Sequence, residues 1–351
     1  MALTDIDAGR LADNVFNVTG ANKNRIINGD MRIDQRNAGA AITSNSGFPV
    51  DRWITYYAGG GVYSGQRSTT APAGFVNSLL LTVTTADSSI AATDNYLIRH
   101  NVEGFNVDDL AWGTASAKTV TLSFWVRSSV TGTYGGSLTN HAENRSYPFS
   151  YTISAADTFE YKTITIPGET TGTWLTNNSR GVAVHFALGM GSTYSGTAGA
   201  WASALYWSST GATNWIATNG ATFYITGVQL EVGSVATPFE HRSYDDELAR
   251  CQRYCQRFTK IHASGTVANS TETWHPYTFP VAFRASPTLT VNALGNVVKE
   301  GTNWYPNTAI SLNDESQFNT VIKCTQSNNN MVATNSTRLG QGCDLTFSAE
   351  F

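Results

Sequence analysis

The chain has 351 residues, and charged side chains make up only 14% of them, against roughly 25% in an ordinary globular chain. With a formal net charge of −4 and no basic run, it lacks the electrostatic footprint of a nucleic-acid binder. Its apolar runs are too short to span a membrane, and 4 cysteines in this length do not make a disulfide scaffold.

Residues 1–23 are short of large apolar groups and read as an attachment arm that docks on a partner through Leu11, Val15, Phe16 and Val18. The arm has no basic segment followed by an apolar one, so it does not read as a secretory signal. Synthesis in a cytoplasm and action as a soluble part are therefore expected. From Asn24 the texture changes. RWITYY (52–57), SLLLTVTT (78–85), KTVTLSFWVRSS (118–129), YKTITIPG (161–168), GVAVHFALGMG (181–191) and ATFYITGVQLEVG (221–233) are rich in β-branched and aromatic residues and bounded by Gly, Ser, Asn and Thr, as strands are. Period-2 alternation puts Val120, Leu122, Phe124 and Val126 on one face, with Thr121, Ser123, Trp125 and Arg127 on the other. Val182, Val184, Phe186 and Leu188 repeat the pattern. Phe223 and Ile225 hold one phase, Val228, Leu230 and Val232 the opposite one, and a bulge at Gly227 would restore the register. Strands joined by long loops without helices predict an all-β chain built on a β-sandwich over 24–240.

SYDDELARCQRYCQRFTKI then predicts one linking helix within 241–262, N-capped by Ser243 with acids in its first turn and bases near its end. Tyr244, Leu248, Cys251, Cys255 and Phe258 recur at spacings 4-3-4-3, the a/d pattern of a coiled-coil seam; packing of the same seam on its own sandwich is the alternative. Residues 263–351 return to short alternations (Tyr277, Phe279, Val281, Phe283; Leu289, Val291; Leu345, Phe347) and predict a smaller β-sandwich tip. So thin and polar a core favours a partner subunit.

Catalytic signatures are missing: no phosphate loop, no H-E-x-x-H, no G-x-S-x-G. GMGSTYSG (189–196) lacks dinucleotide-loop spacing and reads as a loop. Cys251, Cys255 and His262 cannot share a zinc ion on one straight helix, because seven residues from Cys255 to His262 span about 10 Å. Cys324 and Cys343 can bridge only if the tail's strands align them. His185 alternates with core positions and should face the other side of its strand. Exposed aromatic planes suit sugar rings, with hydroxyls bonding to polar neighbours. The candidates for such contacts are Trp125 with Arg127, and Trp53 and Tyr57 in an early strand. Filling the core is the competing use of each ring.

NRIINGDMRIDQRN (24–37), PVDRW (49–53), KTVTLSFWVR (118–127), TGVQLEVGSVATPFEHRSYDDELARCQRY (226–254) and FPVAFRASPTLTV (279–291), in this order, resemble a family of bacteriophage tail-fibre-like structural proteins. IINGDM is also similar to the first strand of jelly-roll carbohydrate-binding modules. The resemblance covers about residues 24–291. It implies a jelly-roll sandwich in a non-enzymatic virion protein, a tail fibre or receptor-binding protein made in the host cytoplasm. Such a protein would be a homotrimer, joined to other tail proteins by its N-terminal arm and attached to host surface glycans. A head fibre or tail adaptor, and a polysaccharide-degrading tailspike, are the alternatives; no short β-helical repeat is visible. Jelly rolls of this kind often hold a structural calcium, for which Asp30 and Glu231 are the corresponding positions. In this reading Glu231, Glu240 and His241 mark a joint between modules.

Overall fold

A computed structural model describes residues 23–299, 304–326, 331 and 335–351. The expected attachment residues Leu11, Val15, Phe16 and Val18 lie outside them. The chain divides into two compact units, Met1–Arg242 and Ser243–Phe351.

In the first unit the strands are β1 (Trp53–Ala58), β2 (Val62–Ser68), β3 (Ser78–Thr85), β4 (Asn95–Glu103), β5 (Val120–Ser128), β6 (Gly132–Asn140), β7 (Ser146–Ile153), β8 (Glu160–Ile166), β9 (Arg180–Met190), the two-residue β10 (Ser195–Gly196) and β11 (Ser208–Ser209), and β12 (Thr222–Val232). Ten of them form two five-stranded sheets, β2-β3-β12-β5-β8 and β1-β4-β9-β6-β7, in which every neighbouring pair is antiparallel, and β10 and β11 pair separately in parallel. The chain passes repeatedly from one sheet to the other, the connectivity of a jelly-roll sandwich. Each expected strand is present. Between the sheets the alternating residues interlock: Phe124 of β5 meets Phe186 of β9 edge-on at 5.0 Å and 78°, and both are fully buried. The expected bulge is also present. The β12–β5 register slips between Thr226 and Gln229, and Gly227 at φ 61° occupies the left-handed region that glycine enters without a Cβ penalty.

The N-terminal signature segment builds the fold rather than a site. Asn28, itself at φ 57°, donates from Nδ2 to Ile33 O (2.8 Å) and Asp51 O (2.9 Å) and accepts from Ile33 N (2.9 Å). Its carbonyl takes the indole N–H of Trp53 at 3.0 Å. Asp51 accepts from the backbone and side-chain nitrogens of Gln35. INGDM and PVDRW thus lock one another across a loop, satisfying polar groups that burial would otherwise leave costly.

The stretch after β12 is a strap along its own unit. Glu240 accepts from Asn24 N at 2.8 Å, and its own N–H donates to Gln229 Oε1 at 2.9 Å. Arg242 donates to Ile26 O at 3.1 Å, and Lys23 Nζ donates to Thr237 Oγ1 at 2.6 Å. A joint read as a linker is here a clasp between the first and last segments of the sandwich.

His185 faces away from the core, as expected, yet it is fully buried. Residues 191–215 cross the outer face of that sheet: Trp207 lies 6.1 Å from the His185 ring, and Tyr194 stacks on Trp207 at 4.5 Å. β11 sits so close on β6 that a Cβ at Gly135 would fall 2.1 Å from Ser208 Oγ.

In the second unit, α1 (Tyr244–Gln252) is capped by Ser243, whose hydroxyl accepts from Asp246 N at 3.1 Å. The helix is shorter than the sequence predicts. Cys255 and Phe258 leave the proposed seam because Cys255–Phe258 forms β13, paired with Ser348–Leu345. The unsatisfied edge of a long strand outweighs a weak helical preference, and Phe258 packs on Tyr277 and Phe347 at 5.4 and 6.0 Å. Only Tyr244, Leu248 and Cys251 remain helical, and Tyr244 is 53% exposed. The other strands are β14 (Ala263–Asn269), β15 (Glu272–Thr278), β16 (Thr288–Lys299), β17 (Trp304–Asn313), β18 (Asn319–Gln326) and β19 (Ser336–Ser348). They form one sheet, β13-β19-β14-β15-β18-β17-β16, rolled so that β16 also pairs with β19. Phe283, Ile322, Cys324, Leu345 and Phe347 fill its core. All 4 cysteines are buried and none is in a disulfide; burial pushes the Cys324 thiol up to about 12 and that of Cys343 up to about 11.

Candidate functional site

Alternation in β5 turns Phe124 and Val126 into the core and Trp125 out, and the pairing of β5 with β8 sets Tyr161 directly opposite Trp125. Their ring centroids are 5.3 Å apart at 46°. These two rings form one wall of a groove of about 430 Å³. The facing wall comes from two distant segments: Phe75, in the β2–β3 loop, meets Phe239 at 5.1 Å and His241 at 5.4 Å, and Phe239 meets His241 at 5.0 Å. Ala73, Gly74, Ser123, Gly227 and the strap residues Ala236–Pro238 complete the lining.

Gly227 makes this approach feasible. A Cβ there would lie 2.6 Å from Phe75 Cζ and 3.1 Å from Trp125 Cδ1, so the bulge glycine is also the space between the walls. Clasped by Glu240 and Arg242, the strap holds Phe239 and His241 in place without further cost on binding. No Asp, Glu, Lys or Arg lines the groove. It therefore offers ring faces, the Ser123 and Thr237 side chains and one imidazole, a surface suited to an uncharged ring that has both an apolar face and hydroxyls.

The structure separates the other candidates from Trp125. Arg127 projects on the same side of β5 but serves a neighbouring cluster: it pairs with Asp157 at 3.2 Å and lies 4.9 Å over the Tyr224 ring. Trp53 is no surface platform. It is fully buried, packs on His100 at 5.1 Å and Phe186 at 6.1 Å, and belongs to the core because β1 turns residue 53 inward. Tyr57 has the same inward phase. It is half-buried against the core, donates to Thr43 O at 2.5 Å and stacks on Tyr96.

Asp30 and Glu231 do not fit a calcium ion, which takes six to eight oxygen ligands. Asp30 is held by the Arg32 guanidinium. Glu231 receives donors on both oxygens: Gln229 Nε2 at 2.8 Å, Thr237 N at 2.8 Å and Thr237 Oγ1 at 2.6 Å. Among the described residues no group of three His, Cys, Asp or Glu is placed to hold a metal ion.

Sequence reasoning missed Tyr161, Phe75, Phe239 and His241 as members of one site. Tyr161 was within reach, because it alternates with the inward Ile164 and Ile166 phase of β8. Phe75 and Phe239 stand in loops, where no period announces them.

No protein-family profile matches the chain, and no curated protein matches it. Among solved structures, the enzymatically active domain of tailspike protein 4 of bacteriophage CBA120 is similar at 12% identity and TM-score 0.33, over 60% of this chain and 22% of that one. The family 11 carbohydrate-binding module of a Clostridium thermocellum cellulosomal cellulase is similar at 14% identity and TM-score 0.27, over 59% of this chain and 99% of that one. Modules of xylanase 10B of Clostridium thermocellum, complexed with xylohexaose, are similar at 11% identity and TM-score 0.28, over 58% and 30%. These likenesses carry no assignment of ligand or activity.

Proposed function

We propose that this chain is a non-enzymatic virion protein, a tail fibre or receptor-binding protein, that attaches to host surface glycans through the groove between Trp125/Tyr161 and Phe75/Phe239/His241. The observation that carries the reading is the pair of aromatic walls held apart at Gly227. Their faces accept the C–H side of a pyranose, and the strap fixes them in advance. The lining has no carboxylate, whereas glycoside hydrolysis draws on two flanking the scissile bond, which supports binding without cleavage. In this reading the N-terminal arm joins other tail proteins. The chain works as a homotrimer because several weak sites gain avidity together; a helical seam no longer contributes to that argument.

The test is adsorption of the full-length protein to host cells. Trp125→Ala should weaken binding by about 1–3 kcal/mol, as loss of one stacking platform does, with an unchanged melting temperature. Normal adsorption by the variant would sink the groove. New reducing ends released from host envelope polysaccharide would replace binding with hydrolysis. Light scattering showing a single 37.8 kDa species would remove the trimer.

A further inference from the structure

A second cavity, of about 300 Å³, opens in the first unit where residues 104–114 and 172–176 meet. Its walls are the rings of Trp112 and Trp174 with Leu110 beneath, and Asp108, Thr114 and Thr176 add polar groups to the lining. The two indoles meet at 4.7 Å and 77°, and Trp201 packs against both at 5.3 and 5.5 Å. Every indole N–H of the trio is already spent on a backbone carbonyl: Trp112 on Lys118 O (2.8 Å), Trp174 on Thr171 O (3.1 Å) and Trp201 on Pro167 O (2.8 Å). The rings are thereby pinned by their edges, and what they offer a ligand is their faces.

The loop carrying Trp174 is not a strand, yet it is tightly held. The Glu169 carboxylate, 3% exposed as a residue, accepts from Thr171 N at 2.8 Å, from Thr171 Oγ1 at 2.7 Å and from Arg145 at 2.6 Å. Gly113 and Gly172 lie at φ 85° and 80°, and a Cβ on Gly113 would lie 2.7 Å from Gly172 O. Core packing alone does not call for so much constraint on a half-buried tryptophan at the sandwich end. It is the arrangement of a rigid receptor, which loses little freedom when it is filled.

We propose that this cavity is a binding site for a single pyranose unit, the terminal sugar of a glycan, stacked on Trp174 with the near-perpendicular Trp112 closing the site at its side and its hydroxyls directed to Asp108 and Thr176. The size is at the lower end of small-molecule pockets, about 300–1,000 Å³, and admits one ring rather than a chain. A purely apolar ligand would leave the carboxylate and hydroxyls of the lining unused, whereas a pyranose uses both the ring faces and the polar groups. The site shares no residue with the Trp125 groove and stands whether or not that groove binds sugar.

Titration of the full-length protein with methyl glucoside, methyl galactoside, methyl mannoside and methyl N-acetylglucosaminide, read by tryptophan fluorescence and by saturation-transfer NMR, tests it. At least one pyranoside should saturate. Trp174→Ala should weaken it by about tenfold or more, Asp108→Asn by a smaller factor, and Trp125→Ala should leave it unchanged. Absence of any saturable response overturns the proposal. So does equal saturation by cyclohexanol, which would mark an apolar cavity only, and so does a response abolished by Trp125→Ala yet kept by Trp174→Ala. If Trp174→Ala lowers the melting temperature, Asp108→Asn decides, and unchanged binding by that variant overturns the site.

Discussion

The two sheets of the sandwich share one core but treat their outer faces differently. The outer face of β2-β3-β12-β5-β8 carries the aromatic groove, and the strands there alternate apolar and polar residues plainly. The outer face of β1-β4-β9-β6-β7 is covered by residues 191–215, so His185, Ser137 and Thr139 are as buried as the core. Covering that face required small side chains beneath the crossing segment, and β6 supplies them in Gly135 and Ser137. An open face can present rings to a ligand; a covered one stores buried polar groups. The second sheet is accordingly the place where stability is sensitive, and the first is where binding is.

The sharpest contrast sets two tryptophans against each other. Trp53→Ala should cost about 3–5 kcal/mol, the usual loss for a large buried aromatic, and should be read as a fall in denaturant midpoint. Trp125→Ala should stay within about 0.5 kcal/mol, as surface changes do. Equal losses would erase the distinction between the shared core and the open face.

Glycines sharpen it next. Gly135→Val must displace β11 and should cost about 1–3 kcal/mol, as overpacking does. Gly227→Val meets both an adverse φ and the Phe75 ring, so it should add loss of glycan binding to a similar destabilisation. If Gly135→Val abolished cell adsorption with the fold intact, function would have to move to the covered face.

Acid is the third probe. Burial holds His100 and His185 well below the usual histidine range, the first further depressed by Arg52 and the second by Arg99 and Arg180. In the second unit burial brings His275 down to about 4. Above the unfolded value of about 6.5 both states are neutral at these residues and nothing is gained or lost. Below it the unfolded chain binds protons that the folded chain refuses, so stability falls as pH drops, by at most about 1.4 kcal/mol per pH unit for each histidine. For His275 the decline ends near its folded value of about 4. The sheet that bears the groove contains no histidine. His185→Gln should therefore flatten the acid slope of the melting temperature, and an unchanged slope would contradict the burial argument.

The smallest effect belongs to the helix. Leu248→Asp, at a half-buried position on a nine-residue helix, should cost about 1 kcal/mol. Phe258→Asp should cost more because its ring packs on the second core. Analytical ultracentrifugation would sharpen this: loss of assembly in Leu248→Asp alone would restore an interchain role to the helix.

By itself the sequence determined the all-β class, the strands β1, β3, β5, β8, β9 and β12, the outward phase of Trp125 and the bulge at Gly227. Each of these is a local periodicity or a backbone demand that neighbouring residues express. It did not reveal β2, β4, β6 and β7. NYLIRHNVE and GTYGGSLTN do not alternate plainly, because both faces of those strands are covered and neither is marked by wet residues. SYPFSYTI, by contrast, sets buried Tyr147, Phe149, Tyr151 and Ile153 against Ser146, Pro148, Ser150 and Thr152 and was within reach of period-2 reasoning. Tertiary structure alone decided that CQRF would pair with β19 instead of continuing a helix. It also decided that Trp53 would be core, and that Phe75, Phe239 and His241 would face Trp125. The physical reason is common to all three. A strand edge, an inner face and an opposing wall are supplied by residues remote in sequence, and their contact energies outweigh local preferences of a few tenths of a kcal/mol per residue.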